Sequence, residues 1–151
     1  MSDFQIFALP VAGGTLALSP LPVEPALQVL LDWGPDLVVS MTAQEEMDSL
    51  GAGDLGAVLR AAGVGWHHLP VADYGTPALL DITVIEGAAL ATLRAGGKVL
   101  THCRAGCGRS GMMALRLMIA AGEEADPALN RLRALRPCAV ETDAQFAWAE
   151  G

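Results

Sequence analysis

Aspartate and glutamate are missing from the whole stretch between Gly87 and Gly122. The same stretch holds Arg94, Lys98, Arg104, Arg109 and Arg116, although the full chain of 151 residues has a formal net charge of −8. One basic island therefore stands in a strongly acidic chain. A polybasic membrane anchor is absent, and so acidic a composition excludes a general nucleic-acid binder. Uninterrupted apolar runs are lacking as well. Residues 4–23 carry no charge, but Pro10, Gly13, Gly14, Pro20 and Pro22 break them up, and Asp3 stands where a signal peptide would have a basic residue. The apolar run from Gly111 to Gly122 is too short for a bilayer of about 30 Å and contains Arg116. No membrane association and a cytoplasmic location are expected. Cysteine is scarce: three residues, an odd number, do not make a disulfide framework. Each is expected as a reduced thiol, filling the core or doing chemistry.

What is present points to a folded globular protein. Hydrophobic residues make up 52% of the chain, which excludes intrinsic disorder. A chain of this length buries roughly 70% of its unfolded surface in one core. No repeat or linker divides it, so residues 1–151 are expected to form a single domain. Phe4–Leu9 and Thr15–Leu18 predict a hairpin around Gly13-Gly14. Helices are predicted over Pro25–Trp33, after the capping-box pair Thr42 and Glu45, after Asp54, and over Ala78–Arg94, Ser110–Ala121, Asp126–Leu135 and Asp143–Trp148. Strands are predicted over Leu37–Met41, Gly65–Val71 and Lys98–His102. Alternating strands and helices predict an α/β fold, a mostly parallel central sheet with helices on both faces. Ligands in such folds bind at the carboxyl ends of strands, and Cys103 follows one such end.

The segment Thr101-His102-Cys103-Arg104-Ala105-Gly106-Cys107-Gly108-Arg109-Ser110-Gly111 concentrates the chemistry. Strand, glycine-rich loop and helix follow in order. A tight loop can turn successive backbone N–H groups inward as an anion nest. Gly106 and Gly108 allow the required backbone angles, and the helix from Ser110 aims its positive end at the same point. Arg109 offers a planar fork for two phosphoryl oxygens. A cysteine at the base of such a positive pocket is favoured as the thiolate, the nucleophilic form.

This segment closely resembles the Cys-x5-Arg loop of protein tyrosine and dual-specificity phosphatases. The resemblance implies a dual-specificity phosphatase-like fold, no metal, no cofactor, and a loop that takes phosphate, sulfate or vanadate. It implies that Cys103 attacks phosphorus and carries the phosphoryl group as a cysteinyl-phosphate. Arg109 and the amides of Arg104, Ala105, Gly106, Cys107 and Gly108 would hold the phosphoryl oxygens. By the same resemblance His102 orders the loop and helps keep the thiol ionised, and Ser110 assists departure of the thiolate. Asp73, in a turn-rich loop 30 residues before Cys103, is the candidate acid, with Asp81 as its rival.

The segment Gly65-Trp66-His67-His68-Leu69-Pro70-Val71-Ala72-Asp73-Tyr74-Gly75-Thr76-Pro77 is similar to the kinase-associated (cyclin-dependent-kinase-inhibitor-3-like) phosphatases. Leu132–Arg136 and Glu141–Gln145 extend the similarity. It implies that Gln145 positions the hydrolytic water and that the substrate is a phosphoprotein or phosphopeptide. Glu141 stands where a glutamine is more usual, and its carboxylate is expected to point away from the phosphate. Arg104 suggests an alternative, an inositol phosphate or phosphoinositide as substrate. A phosphate-binding pseudophosphatase scaffold is a third reading, disfavoured by the intact set Cys103, Arg109 and Asp73. Glu45, Glu46 and Asp48 are expected on a solvated helix face. Cys138 is expected in the core, and Cys107 as a small loop residue or a partner for oxidised Cys103. His67 and His68 are expected to be structural, and Trp66 and Tyr74 to pack the core or wall the pocket.

Overall fold

A computed structural model describes residues 4–77 and 82–151. Its elements are β1 (Phe7–Val11), β2 (Gly14–Ser19), α1 (Ala26–Trp33), β3 (Leu37–Ser40), α2 (Gln44–Ser49), α3 (Leu55–Ala61), β4 (Gly65–His68), α4 (Ile82–Arg94), β5 (Lys98–His102), α5 (Gly108–Ala120), α6 (Ala125–Leu135) and α7 (Asp143–Glu150). The predicted start of α4 at Ala78, and with it Asp81, lies outside the described residues.

The sheet order is β1-β2-β5-β3-β4, parallel except for β1, which pairs antiparallel with β2. Ala12 (φ 54°) and Gly13 (φ 90°) make the two-residue turn of that hairpin, and positive φ at both positions suits the strand twist. Pro10 lies in β1, the edge strand, where its missing N–H costs no central pairing.

Side chains alternate across the sheet, and the alternation builds two cores. Leu16, Leu18, Leu37, Val39 and Val99 pack on one face with residues of α4, α5, α6 and α7. Ala17, Val38 and Leu100 pack on the other with residues of α1, α2 and α3. Helices therefore cover both faces. Because α5 is buried almost all round, it reads in the sequence as a helix without a polar side.

Two helix starts differ from the sequence reading. Helix α2 begins after Ala43, whose N–H donates to Glu46 Oε1 at 3.1 Å, while the Thr42 hydroxyl has no partner. The cap is therefore one residue later than the Thr42–Glu45 pair predicts. Helix α5 begins at Gly108, inside the loop. The parallel register aligns Ser19, His102 and Ser40 at the carboxyl ends of β2, β5 and β3. No helix among the described residues is long and apolar enough to cross a membrane.

Candidate active site

Beyond the end of β5 a cavity of about 90 Å³ is lined by Asp73, Tyr74, Cys103, Arg104, Ala105, Cys107, Gly108, Arg109 and Glu141. That space admits a small anion on the scale of a phosphoryl group. Cys103 is a free, buried thiol in its lining. Its Sγ lies 3.2 Å from Ser110 Oγ. The Ser110 carbonyl accepts from Thr101 Oγ1 at 3.0 Å, tying the first turn of α5 back to β5.

Arg109 is almost fully buried and heavily partnered. Its Nη1 donates to Glu46 Oε1 (2.6 Å) and to the Val71 carbonyl (2.9 Å), and its Nη2 donates to Glu46 Oε2 (3.0 Å). The two-pronged pair fixes the guanidinium plane. Burial works against the Arg109 charge, but the hydrogen-bonded Glu46 carboxylate, with Cys103 and Asp73 nearby, outweighs it and raises the pKa above its ordinary value. Reciprocally, the bond from Arg109 holds the Glu46 carboxyl below the usual carboxylate range. Among the described residues the Arg109 Nε–H is buried without a hydrogen-bond partner, and Asp73 Oδ1 stands 3.8 Å from it. An unused buried donor in the wall of an anion-sized cavity is a place for a phosphoryl oxygen.

Glu46 is the functional residue the sequence reading misses. It was expected on a solvated face, but α2 carries it to Arg109 across 63 positions. Its acidic neighbours on a short helix give no hint of that pairing.

His102 is fully buried. Its Nε2 lies 2.5 Å from Ser40 Oγ and its Nδ1 3.3 Å from the Cys103 carbonyl oxygen. Burial pushes its pKa down to about 4, so near neutrality the ring is uncharged. It is placed to order the loop, and positive charge at the thiol comes from Arg109 instead. Trp66 Nε1 donates to the same Ser40 Oγ at 2.8 Å, so Trp66 braces His102 from the core rather than walling the pocket. His68 stacks on Trp66 and meets the Thr42 carbonyl at 2.6 Å.

Asp73 is half exposed at the cavity rim, and its Oδ1 accepts from the Tyr74 N–H at 3.0 Å. Tyr74 adopts a left-handed backbone (φ 63°) and lines the cavity. Gln145 is fully buried. Its Oε1 accepts from the Glu141 and Thr142 N–H groups (2.8 and 3.3 Å), and its Nε2 donates to the Gly75 carbonyl (3.3 Å). The amide thus joins the start of α7 to the loop that bears Asp73.

Two expectations are corrected. Glu141 does not point away: it lines the cavity, and a Cβ built on Gly108 would run into Glu141 Oε1. That contact is with the tip of a flexible side chain, so it shows how close the carboxylate comes to the loop. Cys107 and Cys138 are not separate thiols. They form a disulfide, with Cα atoms 5.0 Å apart. Three cysteines divide into one bridge and one free thiol. An odd count excludes complete pairing, but it cannot exclude one bridge.

The residues from 12 to 123 match the family model described as a DSP-PTPase phosphatase of polymorphic toxin systems. The chain belongs to this phosphatase family. Human cyclin-dependent kinase inhibitor 3 is 34% identical over 87 residues, covering 56% of this chain and 41% of that protein. Mouse protein tyrosine phosphatase domain-containing protein 1 is 36% identical over 89 residues, covering 56% of this chain and 11% of that protein. The chain thus matches less than half the length of each curated relative. Among solved structures, kinase-associated phosphatase with its catalytic cysteine changed to serine superposes with a TM-score of 0.87 at 23% identity, covering 99% of this chain and 93% of that one. Tk-PTP in its active form gives 0.75 at 31% identity, with 94% and 92% covered. PTPMT1 in complex with PI(5)P gives 0.79 at 21% identity, with 95% and 92% covered. The α/β sheet read from the sequence is the dual-specificity phosphatase fold.

Proposed function

We propose that this phosphatase hydrolyses phosphate monoesters of phosphoproteins through a cysteinyl-phosphate. The observation that carries this reading is the free Cys103 thiol in the wall of a phosphoryl-sized cavity that also holds the unpartnered Nε–H of Arg109. In the first step the Cys103 thiolate attacks phosphorus, the ester P–O bond breaks, and Asp73 gives its proton to the departing oxygen. Arg109 and the loop amides hold the equatorial oxygens, where charge spreads in the transition state. In the second step water attacks phosphorus, Asp73 takes its proton, and the P–S bond breaks. The Ser110 hydroxyl, 3.2 Å from Sγ, donates to the thiolate as it leaves. Gln145 positions the Asp73 loop through Gly75.

The test is hydrolysis of an aryl phosphate without metal by the wild type, Cys103→Ser and Asp73→Asn. The wild type should turn over, and Cys103→Ser should not. Asp73→Asn should lose most with poor leaving groups, by a factor on the order of 10²–10⁴. No wild-type turnover at any pH from about 5 to 8, where a general acid of this kind operates, would remove the enzyme reading. An inositol phosphate or phosphoinositide is the second reading. Arg104 is exposed at the cavity rim and, among the described residues, makes no side-chain hydrogen bond, and one structural neighbour is a complex with PI(5)P. A panel of phosphopeptides and inositol phosphates separates the two by relative kcat/KM.

A further inference from the structure

The carbonyls of the phosphate loop are held from outside the cavity, one after another. The Arg104 carbonyl accepts from the Leu21 N–H at 3.1 Å. The Ala105 carbonyl accepts from Arg136 Nη2 at 2.9 Å, and the Gly106 carbonyl from Arg136 Nε at 3.1 Å. The Cys107 carbonyl accepts from the Gly111 N–H at 2.9 Å and the Val140 N–H at 3.4 Å. A trans peptide unit is planar and its C=O and N–H point in opposite directions. Each carbonyl turned outward therefore turns the next N–H inward, and the amides so oriented are those of Ala105, Gly106, Cys107 and Gly108. Among the described residues these four N–H groups make no hydrogen bond within the chain. They form an anion nest whose geometry is set from behind.

Arg136 supplies two of those outer bonds and does not line the cavity. Its guanidinium lies 4.5 Å over the Phe7 ring and, among the described residues, pairs with no carboxylate. Its positive charge is thus placed directly behind the nest. Two residues on, Cys138 is bonded to Cys107 of the loop itself, which ties the Arg136 segment to the loop it braces.

We propose that Arg136 is a positioning residue for the phosphate loop, holding its carbonyls outward so that its amides bind the anion, with the Cys107–Cys138 bridge as a second anchor of the same clamp. This rests on the phosphatase reading, yet anion binding can be measured without turnover. Calorimetry would compare inorganic phosphate and vanadate binding to the wild type, Arg136→Met, Arg136→Lys and the double variant Cys107→Ser/Cys138→Ser, alongside KM for an aryl phosphate. Two lost hydrogen bonds predict dissociation constants and KM raised roughly tenfold in Arg136→Met. Arg136→Lys, which keeps the charge and one donor, should recover part of the loss, and the double variant should shift the same way by less. A merely structural Arg136 would lower the melting midpoint and the bound stoichiometry while leaving the dissociation constant of the folded fraction unchanged. That result overturns the proposal, as does Arg136→Met binding phosphate within about twofold of the wild type, given the same two lost bonds. A wild type that binds phosphate but hydrolyses no monoester would remove the phosphatase reading alone. A wild type that binds neither anion removes both.

Discussion

Buried Arg109 and partly exposed Glu46 form an ion pair whose second task is to aim a donor. Glu46 and Val71 take both N–H groups of Nη1, and Glu46 takes one of the two on Nη2, so Nε–H and the second Nη2 N–H are left for a ligand among the described residues. Glu46→Gln keeps the shape but removes the charge, and it is expected to cost about 2 kcal/mol of stability and to reduce kcat/KM by at least roughly tenfold. Urea unfolding and steady-state kinetics check both, and a variant with wild-type kcat/KM would show that the pair does not aim Arg109. Glu141 acts in the opposite sense. Its carboxylate shares the cavity with the loop, so it repels a bound dianion. Glu141→Gln should lower the inhibition constant of inorganic phosphate several-fold, by about the Coulomb energy of a partly exposed pair. Weaker inhibition in the variant would mean that the carboxylate serves the anion rather than opposing it.

His102 also sets a pH dependence. Its folded-state pKa, about 4, lies below the ordinary 6.5. Above the ordinary value neither state is protonated and stability is unaffected. As pH falls from about 6.5 toward 4 the unfolded chain takes a proton that the folded chain refuses, and stability falls by up to about 3 kcal/mol. The depressed Glu46 carboxyl adds to the loss at lower pH, since its contribution is present above its ordinary value and fades as pH drops. His102→Asn should flatten the fall in urea midpoint between about pH 6.5 and 4.5, a window set by that depressed pKa. An unchanged slope would place the acid sensitivity elsewhere.

At the scale of elements, β5, the loop and α5 are contiguous in sequence, and so they were legible. The strand pattern, the glycines and the apolar helix each act over a few residues. The clamp behind the loop was not legible, because it joins residues about thirty positions apart through α6, and cysteine spacing alone does not show which Cα atoms approach within bridging distance. The Glu46–Arg109 pair was hidden for the same reason over twice that separation. Helix α5 is also locked from its far side. A Cβ on Gly111 would meet the Val140 nitrogen at 2.6 Å and the Ala139 Cα at 2.9 Å, both backbone atoms that a rotamer change cannot move. Gly111→Ala is expected to push the segment before α7 off α5 and to destabilise the fold by about 1–3 kcal/mol. A urea midpoint equal to that of the wild type would show the contact to be looser than described.

The whole molecule explains the missing carboxylates between Gly87 and Gly122. The cations there are partly neutralised by acids from outside the stretch: Arg109 by Glu46 and Asp73, and Arg116 by Glu86. Among the described residues, carboxylates reach the site from separate elements, while the chain as a whole keeps a net charge of −8. On the proposed phosphoprotein reading, that net charge favours basic residues flanking the phosphoresidue. At equal phosphoresidue, a lysine-flanked peptide should show the lower KM, and the advantage over a glutamate-flanked one should shrink as salt rises from about 0.01 to 1 M. A preference for the acidic peptide would contradict this account.

The central claim is that Cys103 carries the phosphoryl group. Rapid acid quench of the enzyme with an aryl phosphate, followed by peptide mass analysis, tests it directly. One phosphoryl group is expected on Cys103 during turnover, and neither label nor turnover in Cys103→Ala. Turnover that persists in Cys103→Ala, or a phosphoryl group carried by another residue, would contradict it.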